Sequence, residues 1–479
     1  MKAVFYSPAF HEMMIDISKK DSEIQFFICM ESISDTSGLG KQFVSLPDMI
    51  KKGEQLLKNN DTSFINAEID RDVMSILLFT SGTTSMAKGV MLSHTNIATN
   101  VQSICSCLKV NPGEVHLSLL PYHHTFENTI GLIHMIHRGA CVAYCDGIKH
   151  VAQNLREYHV NLLVAVPAIF DVMYRKVQDG IKKSGKESLV NTLIKITGLL
   201  RKIGIDVRRK VFKSIFEQFG PDLRLAVSGA APLDPAVTVW FDKIGLRLCE
   251  GYGLTETSPV VAANNDFINK PGTIGHPLGG IEVTIDSPDE NGMGEIITRG
   301  GNVMLGYYEN REATNEVFNK DGWFHTGDLG MIDEEGYIKI TGRAKSMIVL
   351  SNGKKAFPEE FEVLLNNIPG VKDSFVWGNN TSDGDVEICA ELVVNNEYYT
   401  DGMPSDEELA KNYEAAIKEI NKTIPQYKII RYFVLTNGEL IKTTTLKIKR
   451  PIELEKIKNI LKNSKTDMRK ASGRFIEKI

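Results

Sequence analysis

Four short aliphatic runs recur between helical patterns: Ser75-Ile-Leu-Leu-Phe79, Val115-His-Leu-Ser-Leu-Leu120, Leu162-Leu-Val-Ala-Val166 and Leu223-Arg-Leu-Ala-Val-Ser228. Each breaks off at Gly, Pro, Ser or Thr. Runs of this length read as strands buried on both faces of an α/β sheet. Loops at the carboxyl ends of such strands are where α/β folds hold their ligands. From Pro259 the texture changes. Gly272, Gly275, Gly279, Gly280, Gly292, Gly294, Gly300, Gly301 and Gly306 punctuate runs such as Ile281-Glu-Val-Thr-Ile285, which predicts a compact β unit. A third texture begins near Gly342, with Ser346-Met-Ile-Val-Leu350, a helix from Pro358, the alternating run Ile388 to Val394 and a charged helix around 406 to 422. The expected architecture is α/β: a large domain over residues 1–341 containing a β subdomain, then a small α+β domain over 342–479 joined through Thr341-Gly-Arg-Ala-Lys345.

Composition excludes several classes. The longest apolar stretch, Leu162 to Phe170, is interrupted by Pro167 and is far short of the roughly 20 residues that span a bilayer. The opening residues carry neither a long apolar region nor a small-residue cleavage site, so a cytosolic location is expected. The seven cysteines lack zinc-finger spacing and are expected to be buried thiols. With 55 Lys and Arg against 60 Asp and Glu, the chain is not a general nucleic-acid binder. Two segments are amphipathic. Val207, Val211, Phe212, Ile215, Phe216 and Phe219 recur at helical spacing among Arg208, Arg209, Lys210 and Lys213. The ordinary reading is a surface helix with its stripe in the core; peripheral membrane contact is the alternative. The lysine-rich tail from Ile452 to Ile479 reads as a solvated terminal helix.

Chemistry concentrates in a few segments. In Phe79-Thr-Ser-Gly-Thr-Thr-Ser-Met-Ala-Lys-Gly-Val90, Gly82 frees the backbone to turn N–H groups toward an anion. Thr80, Ser81, Thr83, Thr84 and Ser85 add hydroxyl donors, and Lys88 adds a mobile charge. It reads as a phosphate cradle, with a plain Ser/Thr-rich turn as the bland alternative. It is not a Walker A loop, because Lys88 precedes Gly89. In Leu248-Cys-Glu-Gly-Tyr-Gly-Leu-Thr-Glu-Thr-Ser-Pro259, Tyr252 can stack on a flat base and Glu256 can hold Mg2+. Gly251-x-Gly253 lacks the third glycine of a dinucleotide fingerprint. Asp328, in Gly322-Trp-Phe-His-Thr-Gly-Asp-Leu-Gly330, is placed to accept from ribose hydroxyls, though a turn cap is its ordinary role. Gly342-Arg343 and Thr443-Thr-Thr-Leu-Lys-Ile-Lys-Arg450 complete the set. His123-His124 has no third ligand at metal spacing, and His11-Glu12 lacks the second His of a zincin.

Together these segments resemble the adenylate-forming, acyl-activating superfamily, and more closely its long-chain fatty acyl-CoA ligase branch. The likeness runs in order from the loop at residue 79 to Lys447. It implies that Thr80, Ser81, Gly82, Thr83, Thr84 and Lys88 hold ATP phosphates. It also implies that Ala230, Ala231, Pro232 and Tyr252 frame the adenine, that Gly229, Gly251 and Gly253 belong to the same ATP/AMP site, and that Asp328 with Arg343 fixes the ribose. Thr255 would touch the α-phosphate, Glu256 would bind Mg2+, His124 would sit beside the acyl carboxylate, and Lys447 would bridge carboxylate and ATP. Lys345 would be the hinge of a mobile C-terminal domain. ATP, Mg2+ and CoA are the implied cofactors and co-substrates, with a fatty acid as partner.

The chain departs from that family at Ser85 and Ala87, where Gly and Pro are usual, and at its start. The loop arrives already at residue 79, so an N-terminal lobe is expected to be missing and activity to be reduced. Three rivals stand beside the ligase reading. An amino-acid adenylation domain would need Pro at Leu254 and an Asp near His123-His124-Thr125-Phe126. An acyl-carrier-protein ligase would look almost the same. A catalytically silent nucleotide-binding partner is the third.

Overall fold

A computed structural model of the chain describes residues 2–20, 23–33, 42–80, 87–381, 384–400, 402–443 and 447–479. It divides into two units, Met1–Asp70 and Arg71–Ile479. In the first, strands Ala3–Tyr6, Phe26–Cys29 and Gln42–Ser45 form a parallel sheet. Its core is Tyr6, Phe27, Cys29 and Phe43, with the Phe27 and Phe43 rings stacked 4.8 Å apart. The helix His11–Lys19 follows the first strand, and Ser45 caps the helix Leu46–Lys58 by accepting from Asp48 N–H (3.2 Å).

The frame of the second unit is a seven-stranded sheet. Five parallel strands run in the spatial order Arg247–Gly253, Leu225–Ser228, Leu162–Ala165, Val115–Ser118, Cys141–Tyr144. Val260–Ala263 and His276–Pro277 extend the first of these antiparallel. Leu162–Ala165 and Leu225–Ser228 are buried at every position, as unbroken aliphatic runs require when both faces are covered. Helix Pro167–Lys183 opens on a proline whose missing N–H costs nothing there. Helix Pro235–Ile244 is capped by Asp234 and stops at Gly245 in the left-handed region. Phe170, Met173, Val177, Phe241 and Ile244 from these helices join the sheet in one core.

The run at residue 75 lies elsewhere. Strand Met74–Thr80 pairs antiparallel with Lys88–Ser93, which pairs in turn with Gly306–Tyr307. A three-stranded ribbon buries one face, so Ile76 and Leu78 pack inward near Val90 and Leu92 while Phe79 is 68% exposed. The expected β unit is a four-stranded antiparallel sheet of Ile281–Asp286, Gly294–Gly300, Phe324–Ile332 and Ile338–Arg343.

The C-terminal third has its own sheet, Val371–Asn380, Val386–Val394 and Ile430–Thr436. Against it lie helices Pro358–Leu365 and Asp406–Thr423, the latter begun by a Ser405/Glu408 capping box. Gly342 is the point of closest approach to this region: a Cβ there would fall 2.3 Å from the Phe357 ring.

Two expectations need correction. The segment 207–219 forms two short helices, Arg208–Val211 and Lys213–Phe219, with Phe212, Ile215, Phe216 and Phe219 in the core. Its cations serve the fold, Arg208 pairing with Asp206 (2.6 Å) and Arg209 lying 3.8 Å over the Phe216 ring. The thiols are not uniformly buried either. Cys141 is exposed because it sits on the sheet's edge strand, whereas Cys29, Cys249 and Cys389 are interior. No helix among the described residues is long and apolar enough to cross a membrane.

The last helix, Arg450–Asn463, is fixed at its first residue. Arg450 grips Glu362 with two parallel bonds (2.9 and 2.6 Å), and Glu362 also accepts from Val376 N–H (2.9 Å). Removing the guanidinium strands a carboxylate that is only 8% exposed. Arg450→Ala is expected to cost about 3–5 kcal/mol in denaturant unfolding, whereas replacing both partners by apolar residues recovers much of it. A loss below about 1 kcal/mol would contradict the role given to this pair.

Candidate active site

Strand Arg247–Gly253 ends the parallel sheet and carries the Gly-Tyr-Gly segment into a sharp turn. Its neighbour Leu225–Ser228 pairs in register, Ser228 opposite Glu250, so Gly229 follows beside Gly251. A Cβ on Gly229 would lie 2.8 Å from Phe126 Cζ, and one on Gly253 would lie 1.8 Å from the Pro259 carbonyl oxygen. Both glycines therefore permit close approach of backbone. Gly251 is under no such pressure, with only ordinary contacts beyond 3.5 Å. Ala230 adopts φ +73°, a conformation costly for a residue with a Cβ, and turns the chain toward Ala231 and Pro232.

Tyr252 leaves this strand to donate its hydroxyl to Asp328 Oδ2 at 2.6 Å. Asp328 stands opposite Arg343 in the hairpin of Phe324–Ile332 and Ile338–Arg343, and Arg343 Nε reaches its Oδ1 at 3.0 Å. The turn holding the carboxylate is itself tied down, Thr326 donating to Ile296 O (2.6 Å) and accepting from Asp328 N–H (3.1 Å). Desolvation raises the Asp328 pKa, and Arg343 and Tyr252 oppose it. Burial and the neighbouring carboxylate push Tyr252 well above the usual phenol range, so it remains a donor.

Thr255 and Glu256 occupy a single turn, Thr255–Thr257, braced by Leu254 N–H on the Pro259 carbonyl (3.1 Å) and by Met304 N–H on the Glu256 carbonyl (2.8 Å). Tyr307 donates to Glu256 Oε1 at 3.0 Å. The same ring lies under the Lys88 ammonium, 4.7 Å from Nζ to centroid. Tyr307 thus links the Glu256 turn to the exit of the Ser/Thr-rich loop, and Tyr308 N–H seals the junction on Gly89 O (2.7 Å). Thr80 and Lys88 are paired across the base of that loop. Ser81, Gly82, Thr83 and Thr84 lie outside the described residues.

Lys447 comes from the opposite end of the chain. Thr443 N–H to Lys447 O and Lys449 N–H to Ile441 O (both 2.8 Å) fold its segment into a narrow hairpin immediately before Arg450. Lys447 is solvent-accessible yet has protein packed around it. Desolvation depresses its pKa, Arg343 adds to this, and Asp328 and Glu256 act against it. His124 is depressed by burial, by His123 and by Lys447. The charges of Arg343, Asp328 and Glu256 thus act on Lys447, and Lys447 acts on His124, which relates groups from segments more than 300 residues apart in sequence. Lys345 is exposed in the turn Ala344–Ser346.

Among the described residues no cluster of three His, Cys, Asp or Glu could enclose a metal. A lone carboxylate suits Mg2+, which takes one or two protein oxygens and fills its remaining positions from phosphates and water. Glu256 meets that requirement. Sequence reasoning missed Tyr307, whose Gly306-Tyr-Tyr308 context has no distinguishing spacing. It missed Phe126, and also the fully buried Glu127, 3.4 Å from His116.

Glu250, directly before the Gly-Tyr-Gly segment, is 8% exposed, and desolvation lifts its pKa from 4.5 to about 7. The fold then retains a proton that the unfolded chain releases, so stability falls as pH rises from 4.5 through 7 and is lowest above that window. Glu250→Gln is expected to abolish this slope and to gain about 3 kcal/mol at pH 8 relative to wild type. Unfolding at pH 5 and pH 8 measures it; parallel curves for the two proteins would contradict the assignment.

The pattern of the AMP-binding enzyme family matches residues 2–308, and that of the AMP-binding enzyme C-terminal domain matches residues 345–460. A long-chain-fatty-acid–[acyl-carrier-protein] ligase of Arabidopsis thaliana, AEE15, is 30% identical over 420 residues, covering 74% of this chain and 57% of that protein. The long-chain-fatty-acid–CoA ligase FadD15 of Mycobacterium bovis is 31% identical over 416 residues, covering 79% and 67%. The chain thus spans between 57% and 67% of the length of these two relatives. An anthranilate CoA ligase, AuaEII, solved with anthranoyl-AMP, shares the fold with TM-score 0.72 at 20% identity over 97% of this chain and 79% of its own. An ATP-bound RpMatB-BxBclM chimera aligns with TM-score 0.67 at 25% identity over 94% and 82%. Matched on both sides of residue 342 and over most of its length, the chain belongs to the AMP-binding enzyme family.

Proposed function

We propose that this chain ligates a fatty acid to CoA in two steps, with ATP consumed and an acyl-adenylate as intermediate. The observation that carries the reading is the placement of Lys447 among Glu256, Asp328, Arg343 and His124. A carboxylate is a poor electrophile because its charge is delocalised and its leaving group would be oxide. In the first step one carboxylate oxygen bonds to the α-phosphorus of ATP and the bond to the β,γ-phosphates breaks, releasing pyrophosphate. In the second, a thiolate adds to the acyl carbonyl and AMP departs. Neither step needs a protein nucleophile, so positioning and charge stabilisation supply the catalysis.

The roles are those that the family resemblance implies. Tyr252 and the Gly229–Pro232 turn border the adenine, Asp328 and Arg343 hold the ribose, and Thr80 with Lys88 meets the outer phosphates. Thr255 serves the α-phosphate. Glu256, oriented by Tyr307, holds Mg2+, which when bound screens the phosphate charge. Lys447 stabilises negative charge between the acid and the α-phosphate, and His124 borders the acyl carboxylate. Between the steps, residues 342–479 rotate about the segment 343–345, with Lys345 as hinge, and withdraw Lys447 so that a thiol can enter. The names of relatives support the fatty acid as the acid and leave two thiols in view, CoA and the acyl-carrier-protein pantetheine.

Lys447→Ala is expected to slow acyl-adenylate formation roughly 10²- to 10³-fold. Supplied with synthetic oleoyl-adenylate and CoA, the same variant is expected to form thioester at a near wild-type rate. Equal loss in both half-reactions would remove Lys447 from the assigned role. Running the second half-reaction with holo-acyl-carrier protein in place of CoA decides the acceptor.

A further inference from the structure

Helix Glu187–Lys202 is apolar on two faces. Val190, Leu193 and Ile194 pack on the core beneath the parallel sheet. Leu189, Ile196, Leu199 and, at the helix end, Ile203 point outward and are 55%, 48%, 65% and 70% exposed. At roughly 100° per residue these four fall within an arc of about 80°, a stripe along the helix. A helix that only had to cover the sheet would carry polar residues on that side. Contiguous exposed aliphatic surface of this kind marks a place where something binds.

The charge around the stripe says what. Residues 182–203 contain Lys182, Lys183, Lys186, Lys195, Arg201 and Lys202 against the single acid Glu187, in a chain whose overall balance is −5. Arg201 is engaged by Asp242 at 2.6 Å, and the five lysines are exposed. By helical position Lys186 lies on one side of the stripe and Lys195 and Lys202 on the other. Aliphatic side chains flanked by lysines match a bilayer interface, where hydrocarbon enters the headgroup boundary and ammonium groups meet phosphate. A protein partner would more commonly be met by aromatic and arginine anchors, with lysine sparse.

We propose that the stripe Leu189, Ile196, Leu199 and Ile203, with its flanking lysines, docks this chain on the surface of a bilayer containing anionic phospholipid. The segment 207–219 is not that surface, since Phe212, Ile215, Phe216 and Phe219 are in the core and both arginines are engaged within the fold. Fatty acids partition into bilayers, so docking would hold the cleft where such an acid is concentrated. The docking itself does not depend on what the cleft activates.

Flotation of the purified full chain with vesicles tests this. The vesicles are phosphatidylcholine alone, or equal parts phosphatidylcholine and phosphatidylglycerol. Wild type is expected to float with the mixed vesicles, less so as salt is raised, and weakly with phosphatidylcholine alone. The pair Leu199→Asp with Ile203→Asp is expected to lower binding to mixed vesicles at least about tenfold. Lys195→Gln with Lys202→Gln is expected to lower it about tenfold on mixed vesicles only. Both variants should melt like wild type and release pyrophosphate at its rate with a water-soluble short-chain acid. Binding is read without acid or nucleotide, so an inactive wild type would count against the ligase reading and leave this result intact. Equal flotation of wild type and the Asp pair would overturn the proposal, as would absence of wild type from mixed vesicles. A wild-type dimer that the Asp pair converts to monomer, without vesicle binding, would assign the stripe to a second copy instead.

Discussion

Asp328 is a carboxylate with 4% exposure, and a charge so placed is tolerated only if its neighbours replace the water it has lost. Tyr252 and Arg343 do so from opposite sides, one on each oxygen. Those two residues belong to different parts of the fold. Tyr252 closes the parallel sheet, Asp328 sits in the antiparallel β unit, and Arg343 ends the strand from which the chain crosses to the C-terminal third. One small network therefore ties the parallel sheet to the antiparallel β unit, at the strand end from which the chain leaves for the C-terminal third. Arg343 and Asp328 both act on Lys447, so a change at Asp328 reaches the lysine as well.

That arrangement suits the proposed chemistry, which asks for placed charge and for no protein nucleophile. Preorganised charge stabilises a developing negative group more effectively than water does, because nothing has to reorient during reaction. Here the charged groups are each held by a second interaction. Tyr307 holds Glu256 and lies under Lys88, Thr326 holds the Asp328 turn, and the Lys447 hairpin is anchored by Arg450 on Glu362. The supporting residues come from the three-stranded ribbon, the antiparallel β unit and the C-terminal third, which makes the site sensitive to how these pack.

Much of this was legible in the sequence, for identifiable reasons. Leu162–Ala165 and Leu225–Ser228 announce themselves because strands covered on both faces have no polar alternation, and the glycine spacing after Pro259 marks short antiparallel strands. Met74–Thr80 looked the same but entered a half-exposed ribbon, since an aliphatic run of seven residues does not reveal whether one face or two will be covered. Asp328 and Arg343 stood out individually, while their pairing across a hairpin register could not be read before the strands were placed. Tyr307 had no motif at all. Its role arises from a two-residue strand, Gly306–Tyr307, added to Lys88–Ser93, a long-range pairing that local pattern does not encode. The apolar stripe at 207–219 was read correctly as core-facing, although it forms two short helices where one was expected, and the second apolar face of helix Glu187–Lys202 went unnoticed because its hydrophobic residues resemble ordinary core.

The central claim is that the Tyr252–Asp328–Arg343 network is the nucleotide's seat. A crystal structure of the chain with AMP tests it most directly. The account predicts the ribose hydroxyls within hydrogen-bond distance of Asp328, the adenine against Tyr252 and the phosphate toward Thr255. AMP bound elsewhere, or bound with its ribose away from Asp328, would contradict it.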